Sequence, residues 1–101
     1  LKSKRQKGAK QKKELFVEAV GYLEHAIGQE TNNIELRFIR LGIQENTPKF
    51  LKYKRNIDED KTFILQHYKN IKSSNLKKHI KDFVLQSKSF DDEEKKKITN
   101  S

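Results

Sequence analysis

The 101-residue sequence has no cysteine, tryptophan or methionine, and it has a single proline. Without cysteine, disulfide frameworks, zinc–thiolate sites and thiol chemistry are excluded. No apolar run approaches the roughly 18–20 residues of a membrane-spanning helix, so the sequence predicts no membrane span. Only 33% of the residues are hydrophobic. Because a chain of this length buries roughly 60–65% of its unfolded surface, we expect one domain with a modest core.

Positive charge dominates, with 23 Lys and Arg against 14 Asp and Glu and a net charge of +9. Residues 1–13 hold seven of the cations and no acid, whereas residues 14–101 are nearly balanced. We predict a basic N-terminal arm or helix extension over residues 1–13 and a single helical domain over residues 14–101. The arm is either a solvated segment or a contact for the phosphates of nucleic acid or of an acidic lipid surface.

The hydrophobic pattern predicts helices along the whole domain. Apolar residues recur at helical spacing over residues 14–29, 34–45, 57–71 and 76–87, and a last helix begins near Ser89. A strand is the alternative over residues 34–38, where apolar and charged residues alternate. Since the connections are short, sequential helices are expected to form antiparallel hairpins. The predicted fold class is therefore all-α, with four to five helices.

Capping signals and one unusually apolar helix refine this prediction. Asn32 with Glu35, and Asn56 with Glu59, match the capping box that begins a helix. The second predicted helix has apolar residues on more than one face, so we expect it to be the most buried. Those residues are Ile34, Leu36, Phe38, Ile39, Leu41 and Ile43.

Two resemblances bear on the fold. The stretch Glu18–Ile27 with Thr31-Asn32-Asn33 resembles the second helix of a tetratricopeptide repeat and its exit turn, where small residues such as Ala19 and Ala26 permit close helix packing. This resemblance implies a tetratricopeptide-repeat-like helical bundle and a role in protein–protein interaction.

The second resemblance covers roughly residues 15–98. The runs Asn33–Leu41, Gln44–Leu51 and Asn56–Lys61 look like a family of small all-helical proteins from Bacteroidetes for which no activity is established. Members of that family tend to carry a secretory signal and a further helix ahead of this region, which agrees with a chain that begins at Leu1. The resemblance implies a bacterial protein that is exported or periplasmic, with a cytoplasmic location still open.

Signatures of catalysis and of metal binding are weak. The three histidines, His25, His67 and His79, form no pair at metal-ligand spacing. Asp58 and Asp60 are similar to the start of a calcium loop, but the glycine and glutamate that such a loop needs are missing, so we assign both to the first turn of a helix. No nucleophile elbow or phosphate-binding glycine loop occurs. We therefore predict no enzyme activity and no catalytic, cofactor-binding or metal-binding residue.

A basic and aromatic patch is the strongest local surface signal. Four cations, Lys49, Lys52, Lys54 and Arg55, are interleaved with Phe50 and Tyr53. Cations beside aromatic rings can hold phosphates while the rings stack on bases. The preferred interpretation is that Phe50, Leu51 and Tyr53 close the core while the charges remain in water.

Protein–protein interaction is the leading prediction for function, with a protein or peptide as the partner. Arg37 and Arg40 share a helix face, where they either pair with carboxylates such as Glu14 or Glu18 or receive a peptide carboxylate. The predicted partner contacts are Arg37, Arg40, Lys52 and Tyr53. The alternative is nucleic-acid binding, with polyanion contacts at Lys2, Lys4, Arg5, Lys49, Lys54 and Arg55.

Overall fold

The computed structural model describes the backbone of residues 2–100 and the side chains of residues 11–100. This part of the chain contains five α-helices, two short 3-10 turns and no strand. The helices are α1 (Lys2–Gln29), α2 (Ile34–Asn46), α3 (Ile57–His67), α4 (Ser74–Gln86) and α5 (Asp92–Thr99). The prediction of an all-α fold is confirmed. The strand alternative is wrong, because residues 34–38 form the beginning of α2.

The chain divides into two units, Leu1–Asn32 and Asn33–Ser101. The first unit consists of α1 and the turn that follows it, so the helix includes basic residues 2–13 as well as the predicted stretch from Glu14. No acidic residue lies in the first turn of α1 and no basic residue in its last turn. Leu15 and Tyr22 are exposed on this helix.

The second unit is a helical bundle of α2 to α5. Helix α3 is central, since it packs against both α2 and α5, and α4 packs against α5. Seven side chains form the buried core: Leu41, Ile64, Tyr68, Ile80, Val84, Phe90 and Ile98. At its edge the rings of Phe38 and Phe83 meet edge to face with centroids 5.3 Å apart. This core brings together residues from all four helices.

Most helices of the bundle begin at a side-chain cap. Asn33 caps α2, since its extended backbone lets the side chain accept a hydrogen bond of 3.2 Å from the Leu36 amide. The predicted cap at Asn32 is therefore wrong by one residue. Ser73 caps α4, and Asp91 with Glu94 forms a capping box at α5.

Helix α3 begins differently. Asn56 makes no side-chain capping hydrogen bond, so the predicted capping box of Asn56 and Glu59 is wrong. The physical reason is that the carboxylate of Glu59 binds Arg37 and Arg40 of α2. The start of α3 is thus stabilised by its neighbour helix, and this arrangement leads to the candidate site.

Candidate functional site

Helix α2 has a buried face made of polar side chains. Arg37, Arg40 and Gln44 follow each other at i, i+3 and i+7, which places them on one side of the helix. All three are buried, with exposed fractions of 9%, 3% and 0%. Opposite them lies Asp60 in the first turn of α3, which is fully buried. We call these four residues, together with Glu59, the buried charge cluster.

Asp60 is the acceptor that organises the buried charge cluster. Arg40 donates two hydrogen bonds to its carboxylate, from Nε to Oδ2 at 2.8 Å and from Nη2 to Oδ1 at 2.6 Å. Gln44 Nε2 donates to Oδ2 at 3.0 Å, and Arg37 Nη1 donates to Oδ1 at 3.3 Å. Every buried side-chain polar atom that the structure describes has a hydrogen-bond partner. A buried ion pair is tolerated when further hydrogen bonds satisfy its remaining donors and acceptors, and the cluster meets this condition.

Glu59 closes the cluster on the solvent side. Its half-exposed carboxylate accepts hydrogen bonds from Nη1 of Arg37 and, at 2.9 Å, from Nη2 of Arg40. The guanidinium of Arg37 also lies 5.0 Å from the ring centroid of Phe63. The hydrogen bond from Arg37 lowers the pKa of Glu59; partial burial opposes this, and Arg40 adds to the lowering.

This lowered pKa predicts an acid-dependent loss of stability. A carboxyl group with a depressed pKa in the folded state contributes stability above its unfolded pKa, and the contribution is lost as the pH falls through the folded pKa. The loss due to Glu59 should therefore begin below about pH 4.3, the ordinary glutamate value. Urea unfolding between pH 7 and pH 2.5 measures it.

The matched comparison is Glu59→Gln against Glu35→Gln, because Glu35 is an exposed acid of α2. The Glu59→Gln variant should show a flatter dependence of unfolding free energy on pH than the unmodified chain, and Glu35→Gln should show no such flattening. Equal pH dependence in the unmodified chain and Glu59→Gln would contradict the ion pair between Glu59 and the two arginines.

The cluster also holds the connection between α2 and α3, residues 47–56, which we call the 47–56 loop. Gln44 Oε1 accepts a hydrogen bond of 2.8 Å from the Asn56 amide, and Lys54 Nζ donates at 2.8 Å to the Gln44 carbonyl. At the other end, Thr47 Oγ1 donates to the Ile43 carbonyl. Both ends of the loop are therefore fastened to the last turns of α2.

Two aromatic side chains of the loop have opposite environments. Tyr53 is buried, whereas Phe50 is 76% exposed in the 3-10 turn Lys49–Leu51. Lys52 follows with φ 56° and ψ 32°, the only positive φ at a non-glycine residue in the part of the chain that the structure describes. This left-handed residue reverses the chain between the two rings. The prediction that Phe50 closes the core is therefore wrong, while Tyr53 does lie inside.

The structure separates the predicted partner contacts into two groups. Arg37, Arg40 and Tyr53 are buried, and the two arginines bind Glu59 and Asp60. Lys52 is exposed. The two arginines therefore join α2 to the start of α3, Tyr53 is buried within the 47–56 loop, and Lys52 lies on the surface of the loop.

The predicted polyanion contacts are also divided. Lys49 and Arg55 are exposed on the loop, and Lys54 is half-buried against α2. The side chains of Lys2, Lys4 and Arg5 lie outside the described residues. The loop thus presents three exposed cations along with the exposed ring of Phe50: Lys49, Lys52 and Arg55.

Sequence reasoning missed Gln44, Glu59 and Asp60. The usable signal was the polar triplet at i, i+3 and i+7 within residues 36–44, where no other residue has a polar side chain; such a triplet indicates a buried polar partner on a neighbouring helix. The acids at the start of α3 interact favourably with the helix dipole. That interaction accounts for acids at this position even when no cation of another helix binds them.

A cleft of about 540 Å³ lies beside the loop, lined by residues that include Lys54, Phe83 and Lys88. On its wall, Glu45 Oε1 accepts hydrogen bonds from the hydroxyls of Ser87 and Ser89. Charged, polar and aromatic side chains therefore line the cleft together.

No group of three or more His, Asp or Glu side chains in the described residues is placed to hold a metal ion. None of the described helices combines the length and apolar character needed to cross a membrane. Comparisons of the chain with protein-family models, with curated proteins and with solved structures find no match.

Proposed function

We propose that this chain is a non-catalytic protein-interaction module that binds an acidic segment of a partner protein through the 47–56 loop. The observation that carries the proposal is Phe50, a large apolar ring that is 76% exposed on a loop whose two ends are fastened to α2. Aromatic residues are enriched in protein interfaces, so we assign this exposed ring on a loop with both ends fastened as the central contact.

The fastening of the loop supports binding. A segment that is held in one conformation loses little conformational entropy when a partner binds, so more of the contact energy appears as affinity. The left-handed backbone at Lys52 is a conformation that residues other than glycine seldom adopt, and the Lys52 amide donates a hydrogen bond of 3.0 Å to the Lys49 carbonyl. Strain of this kind is concentrated at functional sites, which agrees with a loop selected for its shape.

The charges define the partner. Lys49, Lys52 and Arg55 are exposed on the same loop as Phe50, so a complementary surface carries Asp or Glu and an apolar pocket for the ring. In this proposal Lys52 contacts the partner, whereas Arg37 and Arg40 hold the start of α3 and Tyr53 is buried. The tetratricopeptide-repeat-like pairing of helices and the bacterial origin implied by the two resemblances stay predictions.

Nucleic-acid binding is the second candidate, favoured by the exposed ring of Phe50 among cations. A single-stranded nucleic acid is usually held by several rings that stack on successive bases. Here the other ring of the loop, Tyr53, is buried. The loop therefore offers one stacking position, which is why an acidic protein segment ranks first.

A tryptophan reporter separates the two candidates. The sequence has no tryptophan, so Phe50→Trp introduces a single tryptophan in the loop, whose emission can be excited apart from that of the three tyrosines. Peptides selected by phage display against the chain are expected to be enriched in Asp or Glu next to an apolar residue, and to change the emission of the reporter. Phe50→Ala should weaken their binding about 30-fold, the effect of a hot-spot residue worth about 2 kcal/mol.

Leu85→Ala is the matched control, because Leu85 is an exposed apolar residue on α4 and should leave peptide affinity unchanged. Selection of peptides without acidic enrichment, or equal losses in the Phe50 and Leu85 variants, would contradict the proposal. Quenching of the reporter by oligo(dT), with affinity that falls steeply with salt and with no peptide selected, would favour the nucleic-acid candidate.

A further inference from the structure

A second basic segment of the chain lies in residues 61–90, between two acidic stretches. It holds seven lysines and one acid, Asp82. The flanking residues 58–60 and 91–94 together hold seven acids, so the charge of the segment is hidden in the near balance of residues 14–101. The segment includes all of α4 and the connections on either side of it. The second unit therefore has a strongly basic part of its own.

Most of these lysines have a charge that the fold leaves uncompensated. Lys61 pairs with Glu94, with Nζ and Oε1 3.2 Å apart. The other six form no ion pair with any residue that the structure describes, and all are exposed or half-buried. They precede α4, lie on it or follow it directly: Lys69, Lys72, Lys77, Lys78, Lys81 and Lys88.

Helix α4 also presents a polar face to solvent. Its opposite face is in the core, where Ile80 and Val84 are fully buried. The exposed polar residues recur at i, i+3, i+4, i+7 and i+11, the spacing of one helix face. They are Asn75, Lys78, His79, Asp82 and Gln86. Each of these side chains can donate or accept a hydrogen bond, so α4 carries a stripe of hydrogen-bonding groups in a basic surround.

We propose that α4 binds in the major groove of duplex DNA, with the lysines of α4 and of the connection before it in contact with phosphates. The groove is about 12 Å wide and admits an α-helix, whose diameter is about 10–12 Å. The amides of Asn75 and Gln86 are then able to pair with adenine edges. This surface shares no residue with the 47–56 loop, so the inference is independent of the proposed function.

The polar character of the exposed face favours duplex DNA over other polyanions. A helix that lies on an acidic lipid surface buries an apolar face, whereas Leu85 is the one exposed apolar residue of α4. Single-stranded nucleic acid is held by stacking on aromatic rings. The one aromatic residue of α4, Phe83, is half-buried against the ring of Phe38. In duplex RNA the major groove is too deep and narrow for side chains to read.

Removal of charge from α4 tests the proposal. Affinity is measured by fluorescence anisotropy with a labelled duplex DNA of mixed sequence, at several salt concentrations. The triple variant Lys72→Gln, Lys78→Gln and Lys81→Gln should bind at least about tenfold more weakly. It should also reduce the slope of log affinity against log salt by about 0.9 for each phosphate contact that is lost.

The matched control removes the same charge from the 47–56 loop by Lys49→Gln, Lys52→Gln and Arg55→Gln, and should leave the salt slope unchanged. Residues 1–13 are the same in both triple variants, so any binding by that segment is common to them. Circular dichroism establishes that each variant is folded. Equal effects of the two triple variants, or no binding of DNA at low salt, would overturn the proposal.

Two further measurements test whether the face of α4 meets the groove. Asp82→Asn removes the one acid of that face and should tighten binding, because a carboxylate near phosphates repels them; Asp58→Asn, at an exposed acid of α3, should not. Methyl green, which occupies the major groove, should displace the protein, and netropsin, which occupies the minor groove, should not. Displacement by netropsin alone, or equal affinity for duplex RNA, for phosphatidylserine vesicles or for polyglutamate, would overturn binding in the major groove.

Discussion

Replacing Asp60 with alanine is expected to lower the free energy of unfolding by about 3–5 kcal/mol, the cost of leaving a buried charge without its partner. Asp60 is fully buried and accepts hydrogen bonds from Arg40, Gln44 and Arg37. Without it, the guanidinium of Arg40 stays buried and loses both of its hydrogen bonds to this carboxylate. Since domains are stable by about 5–15 kcal/mol, the loss is a large part of the total.

Asp58 supplies the matched control. It is an acid in the same first turn of α3, but it is exposed, so Asp58→Ala should cost only the roughly 0.3–1 kcal/mol of a dipole interaction. Urea unfolding followed by circular dichroism measures both variants. Similar losses in the two would contradict the central place of Asp60 in the buried charge cluster.

A further variant tests whether Asp60→Ala loses stability because the buried arginines lose their acceptor or because the contacts of Asp60 are themselves stabilising. Replacing Arg37, Arg40, Gln44 and Asp60 together by leucine or methionine removes every charge that needs the Asp60 carboxylate. Buried ion pairs replaced by apolar residues of similar volume are often neutral or stabilising by 1–4 kcal/mol. We expect this quadruple variant to be more stable than Asp60→Ala alone, and the opposite order would show that the charges stabilise the hairpin.

Ile64→Ala is expected to lower the free energy of unfolding by about 2–5 kcal/mol, because it removes a fully buried side chain and leaves a cavity in the core. Ile64 belongs to the core cluster with Leu41, Tyr68 and Ile80. The core is small, so neighbouring side chains have few alternative contacts. Thermal and urea unfolding of the variant measure the loss.

Ile39→Ala is the control, because it makes the same substitution at an exposed position. Ile39 lies on α2 and is 43% exposed, so the same substitution should cost only about 0.5 kcal/mol. The two isoleucines cannot be distinguished by residue type, only by burial. A loss at Ile39 as large as that at Ile64 would contradict the orientation of α2 in the bundle.

Much of the helical structure was predictable because its signals are local. The apolar spacing of Leu76, Ile80, Phe83 and Val84 predicts a helix over 76–87, and α4 spans Ser74–Gln86. Cap residues adjust the ends, as Ser73 does for α4. Such patterns depend on neighbours three or four residues away, which the sequence displays directly.

The candidate site was predictable only in its composition. The sequence shows the cations of the 47–56 loop and the shared face of Arg37 and Arg40, and it leaves open which aromatic ring is inside. The structure buries Tyr53 and exposes Phe50, although both were predicted to lie in the core. The choice depends on the left-handed turn at Lys52, which no pattern of residue types specified.

The sequence by itself thus determined that this protein is built of helices, where α2 and α4 lie to within two residues, and that its positive charge is concentrated in residues 1–13. Only the tertiary structure decided that α2 buries arginines while Ile39 remains exposed. The physical reason is that a buried charge requires a partner, and the partner, Asp60, is supplied by another helix 20 residues further along the chain. Pairing over that distance depends on how the helices pack, and no local sequence pattern shows it.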